Sequence, residues 1–370
     1  MHVLGDRWSP ARFSRYCTEF VGVPAGEGVQ ERWLAWLERG PQGALVLSCH
    51  DDGLELVARN RDWLVERGYV PLEADDEGLL AMLDKQRTHE LAEAVGVPAP
   101  RMWPVEDRDE LEAAAGEAEF PCALKPRHSH VFARAFGVKL LVARDRDELR
   151  AAFERTQAAG AEVILTEIVP ARDGNSFSYY TYLDEYGRPL FHLTKQKLRQ
   201  YPNHFGLGSY HVTDWSPEVA ELGLRLVQGI GLRGIVNPEF KRDPRDGQLK
   251  LIEVNHRFTA IDELLRVAGI DLALLTYARL AGRPTPDLDG YRSGVRLWFP
   301  LHDVRALLEY RRSGELSVRQ WMRSLAHRQH LPLFAWDDPA PTLCNLPARA
   351  LRRLERERAE PSGGTAPSEP

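Results

Sequence analysis

Residues 234–257 read GIVNPEFKRDPRDGQLKLIEVNHR, and two alternations of apolar and polar side chains run into and out of one turn within them. Val236, Pro238 and Phe240 alternate with Asn237, Glu239 and Lys241. Ile252 and Val254 alternate with Leu251, Glu253 and Asn255. The Pro, Asp and Gly within residues 243–248 supply the turn. A turn centred near Asp246 places Glu239 opposite Glu253 and Asn237 opposite Asn255. That polar set lies on the face away from Val236, Phe240, Ile252 and Val254.

Two carboxylates about 5 Å apart in an effective dielectric near 20 repel by roughly 3 to 4 kcal/mol. A hard divalent cation offsets this, because Mg²⁺ takes one or two carboxylates and completes its shell with water and nucleotide phosphates. Asn255 adds a neutral oxygen one strand repeat beyond Glu253. Arg257, two residues further, is suited to stabilising charge on a transferring phosphoryl group. A solvated polar strand face is the alternative reading of the same residues, and what argues against it is the company elsewhere in the chain.

The 370 residues exceed one typical domain and suffice for two or three packed units. A net charge of −6 gives no global basic field, which argues against nucleic acid or an anionic membrane as the main partner. Any anion site must be local. Cys17, Cys49, Cys122 and Cys344 are far apart, without zinc or redox spacing, and fit a reduced cytoplasmic compartment. No apolar run approaches the roughly 20 residues of a membrane span. The opening MHVLGDRWSP lacks the apolar core of a signal peptide.

Residues 1–84 read as α/β. A buried parallel strand is expected at 43–49 (GALVLSC), followed by His50-Asp51-Asp52-Gly53 and a helix running through Leu64. Asp51 and Asp52 then either line a ligand crevice at the strand's carboxyl end or cap the helix. Residues 32–37 suggest a helix and 69–72 a short strand. An open α/β sheet usually starts with a strand and a helix before a segment like residues 1–4, so an upstream βα unit is expected to be missing from this version of the chain.

Residues 84–94 (DKQRTHELAEA) form a helix with Lys85 in its first turn, where a lysine opposes the helix dipole unless an anion uses it. Lys125 ends the apolar strand 120–126 (FPCALKP), and a phosphate is a natural partner for its ammonium. A loop (RHSHVFARAFG), a strand at 138–142, a helix at 145–159 and a strand at 162–169 follow. A hairpin of 176–183 and 189–198 makes the middle of the chain antiparallel. Residues 200–211 (QYPNHFGLGSYH) read as a mobile, substrate-facing loop. Its histidines lack zinc-binding spacing. Helices are expected at 217–229, 261–268, 271–281, 304–312, 318–325 and 348–358, a strand at 295–300, and a disordered tail at 359–370.

Two lysines on separate elements, an antiparallel middle and a carboxylate pair with Asn and Arg together resemble the ATP-grasp superfamily over residues 43–282. The resemblance is to its carboxylate–amine ligase branch, to which D-aspartate ligase is similar. It rests on Asp84-Lys85 before GVPAP, ALKP at 123–126, TEIVP at 166–170, and PEF and IEVNHR between Pro238 and Arg257.

The resemblance implies a Rossmann-like pre-ATP-grasp domain over 1–84, ATP-grasp subdomains over 85–160 and 161–290, and a mostly helical extension over 291–358. It implies that Lys85 and Lys125 contact ATP phosphates and that Glu167, Ile168 and Val169 form the adenine hinge. Lys197 and Arg199 would border the phosphate site, although a solvated strand face explains those two equally well. Glu239, Glu253 and Asn255 would ligate Mg²⁺, or Mn²⁺ in its place, and Arg257 would stabilise the transferring phosphoryl group. Relatives often carry a glycine-rich lid after the strand lysine, whereas this chain has Arg127-His128-Ser129-His130, through which Arg127 and Ser129 would reach phosphate. The implied reaction joins a small-molecule carboxylate to an amine through an acyl phosphate. A nucleotide-binding sensor without turnover and a phosphotransferase are the competing readings, since fold alone does not dictate the acceptor.

Overall fold

A computed structural model of the chain describes residues 1–127, 136, 138–288 and 290–344. The described residues divide into two compact units, residues 1–40 with 333–344, and residues 41–332. The expected single unit over 1–84 is therefore split after Gly40.

In the smaller unit β1 (His2–Gly5) pairs in parallel with β2 (Glu19–Gly22), and α1 (Val29–Leu37) follows. Asp338 accepts from the Ser14 hydroxyl at 2.5 Å and the Arg15 amide at 3.1 Å, which ties the two segments of this unit together.

The larger unit opens with a short parallel pair, β3 (Leu45–Val46) and β4 (Val70–Pro71). The helix expected through Leu64 is interrupted at Asn60, giving α2 (Asp51–Arg59) and α3 (Arg61–Glu66). Next come α4 (Asp76–Leu83), capped by Asp75, and α5 (Lys85–Ala94), whose N-cap Asp84 accepts from the amides of Gln86 and Arg87.

A four-stranded antiparallel sheet contains β5 (Met102–Val105), β6 (Cys122–Pro126), β7 (Leu141–Ala143) and β8 (Val163–Glu167) in the order β5-β8-β6-β7. Helices α6 (Arg108–Glu117) and α7 (Arg146–Ala158) bury Leu111, Leu149 and Phe153 in one core with Leu124 and Leu165 of the sheet. The boundary expected at 160/161 thus falls inside this layer, because β8 pairs with both β5 and β6. Conversely, Ala92 of α5 packs in the core of the second sheet.

That sheet has seven strands: β9 (Ser176–Leu183), β10 (Leu193–Tyr201), β11 (Leu207–Thr213), β12 (Gly234–Arg242), β13 (Leu249–Asn255), β14 (Arg296–Trp298) and β15 (Gln329–His330). Their order is β13-β12-β9-β10-β11-β14-β15. Helix α8 (Pro217–Ile230) covers one face, its Val219, Leu226 and Val227 meeting Tyr179, Val236 and Phe240. On the other side α9 (Asp262–Ala268) and α10 (Leu272–Leu280) bury Leu264, Leu265 and Leu275 against Tyr180, Tyr182 and Ile235. Helices α11 (Pro300–Arg312) and α12 (Val318–Ser324) complete the unit.

Two expectations are corrected here. The loop expected over 200–211 is mostly strand, with only residues 202–206 between β10 and β11. Its glycines mark close approach rather than slack, since a Cβ at Gly206 would lie 2.0 Å from the Tyr201 backbone. The extension expected from 291 begins with β14 in the main sheet, antiparallel to β11. The expected helix at 348–358, the tail at 359–370 and Ser129 lie outside the described residues. No described helix is long and apolar enough to cross a membrane.

Candidate active site

The hairpin β12–β13 has the register its alternation predicts: Asn237 opposite Asn255 and Glu239 opposite Glu253. A bulge then shifts the ladder, so that Phe240 faces Leu251 and Ile252 is the extra residue. Leu251, not Ile252 as expected, therefore joins Val236, Phe240 and Val254 in the buried apolar face.

The polar row continues across the sheet. Glu239 stands opposite Ser178, Ser178 opposite Lys195, and Lys195 opposite Thr213. In the next row Lys241, Ser176, Lys197 and His211 follow one another. Directly opposed side chains share a face, so one face carries Glu239, Glu253, Lys195, Lys197 and Lys241.

Lys197 Nζ donates to Glu239 Oε2 at 3.3 Å. Burial alone would raise the Glu239 carboxyl, but Lys197, Lys195 and Lys139 overcome it and hold the group down at about 2. Burial pulls the Lys195 ammonium down to about 8, with Glu239 and Glu253 opposing the shift. From the other sheet, burial pulls Lys125 to about 8, Lys85 pushes it the same way, and Glu253 opposes. Burial likewise lowers Lys85, against the attraction of Glu253 and Asp51. The two lysines of separate elements thus act on each other and on the same glutamate.

Asn255 Nδ2 donates to Glu253 Oε1 at 3.4 Å, and turning this amide over presents its oxygen beside the carboxylate. Two carboxylates and an amide oxygen are a hard donor set that fits Mg²⁺ with phosphate and water completing the shell. Among the described residues no group of three or more His, Cys, Asp or Glu side chains gathers around a point. The residues on this face that could hold a cation are the facing pair and the Asn255 amide. Asn237 is taken up instead by the carbonyl of Tyr179 at 3.0 Å.

Arg257 follows β13, and its Nε donates to Asp51 Oδ1 at 2.6 Å. Asp51 is thus not the cap, a position held by His50, and is paired with Arg257 instead. Glu167 accepts from the Arg101 amide at 3.1 Å and pairs with Arg245 at 2.6 Å. Beyond it Ile168 is half-buried and Val169 buried. Arg127 Nε donates to Asp84 Oδ2 at 2.8 Å.

Arg199 is not brought together with the others. Its Nε and Nη2 each donate to Asp303 at 2.7 Å, and Nη1 donates to Ser324 at 2.8 Å. Asp303, fully buried, also accepts from Ser209 and from the indoles of Trp298 and Trp321. A bulge on β10 around Arg199 breaks the alternation that would have kept it in line with Lys195 and Lys197. Lys195 and Lys241 are the members of the face that sequence reasoning missed. The period of two places both beside residues already singled out.

These layers and this face define a class. The chain is similar to the biotin carboxylase domain of Hydrogenobacter thermophilus 2-oxoglutarate carboxylase, solved with MgADP, ADP and bicarbonate, at a TM-score of 0.62 and 18% identity over 79% of this chain and 67% of that one. It is similar to the β,γ-ATP complex of Campylobacter jejuni biotin carboxylase at a TM-score of 0.61 and 15% identity, with the same 79% and 67% coverage. The fold is that of the ATP-grasp enzymes.

No family model matches the chain. D-alanine–D-alanine ligase of Ectopseudomonas mendocina is 30% identical over 317 residues, 75% of this chain and 97% of that protein. D-aspartate ligase of Enterococcus faecium is 25% identical over 285 residues, 73% of this chain and 67% of that protein. The chain belongs to the ATP-grasp carboxylate–amine ligases, ATP-dependent enzymes that form C–N bonds.

Proposed function

We propose that the protein joins a small carboxylic acid, an amino acid or short peptide, to an amine through an acyl phosphate, with ATP and Mg²⁺. The observation that carries this reading is Glu239 facing Glu253, with Lys197 on the first and Lys85 and Lys125 acting on the second. That two relatives are named for D-aspartate and D-alanine supports an amino-acid substrate.

Lys85 and Lys125 would hold the nucleotide phosphates, and Glu167, Ile168 and Val169 the adenine. Glu239, Glu253 and Asn255 would hold Mg²⁺, which supplies charge neutralisation at the phosphates. A carboxylate oxygen of the acid attacks the γ-phosphorus, the bond to the bridging oxygen breaks, and ADP leaves. The amine then attacks the acyl carbon, the C–O bond to phosphate breaks, and inorganic phosphate and a proton depart from the amide. Lys197 keeps Glu239 ionised, while Arg257, held by Asp51, faces the charge that develops on the transferring group. No protein nucleophile is required, because positioning and electrostatics supply the rate. Arg199 has no part in this scheme, its guanidinium being filled by Asp303 and Ser324. The co-substrate and the four free thiols accord with a cytoplasmic setting.

Hydroxylamine trapping with ATP, Mg²⁺ and a panel of amino acids tests the proposal. A hydroxamate supports it. A phosphorylated product would mean kinase-like transfer, and nucleotide binding with neither product would mean a sensor.

A further inference from the structure

Lys195 lies in the middle of the polar face at 2% exposure, and a buried ammonium is costly unless an anion faces it. Its basic neighbours are provided for. Lys197 donates to Glu239, Lys241 donates to the His204 carbonyl at 2.8 Å, and Arg199 is clamped by Asp303. Among the described residues no carboxylate lies within ion-pair distance of Lys195, and its polar partner is Nδ1 of His211 at 3.5 Å.

The imidazole of His211 is wedged in place. It is 2% exposed, and a Cβ at Gly208 would lie 2.1 Å from its Cε1 and 2.2 Å from its Nε2, so only glycine leaves room for the ring. Phe299 meets it edge-on with centroids 6.1 Å apart. An imidazole whose Nδ1 accepts from Lys195 is neutral, and orients the ammonium without cancelling its charge. Ser178 separates Lys195 from Glu239 in the same row, so the two Cα atoms are about two strand spacings, roughly 10 Å, apart.

We propose that Lys195 is an oxyanion-binding residue of the ligase site, taking the carboxylate of the substrate acid or the γ-phosphoryl oxygen it meets, and that His211, seated over Gly208, is the positioning residue that aims it. This rests on the ligase reading. Lys197 and Lys195 then divide the work: the first neutralises a metal ligand, and the second keeps its charge for the reactants.

The test uses the full chain with Lys195→Met, Lys195→Gln, His211→Leu and His211→Asn. Calorimetry gives the affinities for MgADP and for Mg²⁺ with ATPγS, and the hydroxylamine assay gives KM for the most active acid of the panel. Both Lys195 variants should bind MgADP within about twofold of the parent, yet lose about tenfold either in ATPγS affinity, if the phosphoryl group is the ligand, or in KM for the acid, if the carboxylate is. His211→Leu should show part of that loss. His211→Asn, which keeps an acceptor near the place of Nδ1, should recover most of it. Unchanged ATPγS affinity together with unchanged KM in a folded Lys195 variant overturns the proposal, and equal behaviour of the two His211 variants overturns the positioning role. If no acid supports turnover, the ligase reading fails by itself, and an unchanged ratio of ATPγS to ADP affinity in the Lys195 variants then overturns the proposal as well.

Discussion

Asp51 accepts a hydrogen bond from Arg257 Nε at 2.6 Å, joining the first turn of α2 to the segment after β13 across 206 positions of sequence. Charge-assisted pairs of this kind fix the direction of a guanidinium as well as adding stability. Asp51→Asn should leave MgATP affinity nearly unchanged and lower kcat by about one to two orders of magnitude, the effect of misaiming one charged donor. Steady-state ADP release beside calorimetric nucleotide titration makes the comparison. A normal kcat would remove this pair from the catalytic apparatus.

Of the two proposed metal-binding carboxylates, Glu253 is the one whose loss removes less from the protein's own ion pairs, because Lys197 bonds to Glu239. Glu253→Gln should keep the fold by circular dichroism and abolish the Mg²⁺ dependence of nucleotide binding. Turnover should fall on the order of 10²-fold to 10³-fold, as when one electrostatic contact to the transition state is lost. Near-normal Mg²⁺-dependent activity would take Glu253 out of the metal site.

Burial brings the ammoniums of Lys125, Lys195 and Lys241 down to about 8 from an ordinary 10.5. Between those values the unfolded chain binds more protons than the folded one, so nucleotide-free stability rises with pH across that window. The penalty for holding charged lysines is present below the folded value and is relieved as they deprotonate. Nucleotide affinity runs the other way, since phosphate requires the charged form. Unfolding midpoints and MgADP affinities at about pH 7 and about pH 9.5 should therefore move in opposite directions. Lys125→Met should flatten the binding profile.

Asp303 accepts from the Nε and Nη2 edge of the Arg199 guanidinium, from a serine hydroxyl and from two indoles in a site with no exposure. Asp303→Ala would leave a buried guanidinium without its anion, at a cost of about 3 to 5 kcal/mol in unfolding free energy. Urea unfolding measures it. Replacing Arg199 and Asp303 together by Met and Leu should recover much of the loss, whereas an additive double variant would show that the pair is not the source.

The β12–β13 hairpin, its register and the facing glutamates were legible because a period of two is a local property, written into residues 234–257 whatever surrounds them. The same local signal failed at Ile252 and Arg199, where bulges shift the ladder by one residue, and a bulge has no signature in an apolar-polar alternation. It failed again over 207–213, where Gly208 reads as a breaker but is present to admit the ring of His211.

By itself the sequence determined which strands alternate, that the two glutamates share one face of a hairpin, and to which enzymes the chain is kin. Only the tertiary structure decided that β8 lies between β5 and β6 in the four-stranded sheet, that Asp51 meets Arg257, and that Arg199 turns away to an aspartate 104 residues later. The reason is physical: periodicity acts over neighbouring residues, whereas the partner of a buried charge is whatever group the packing of distant segments brings beside it.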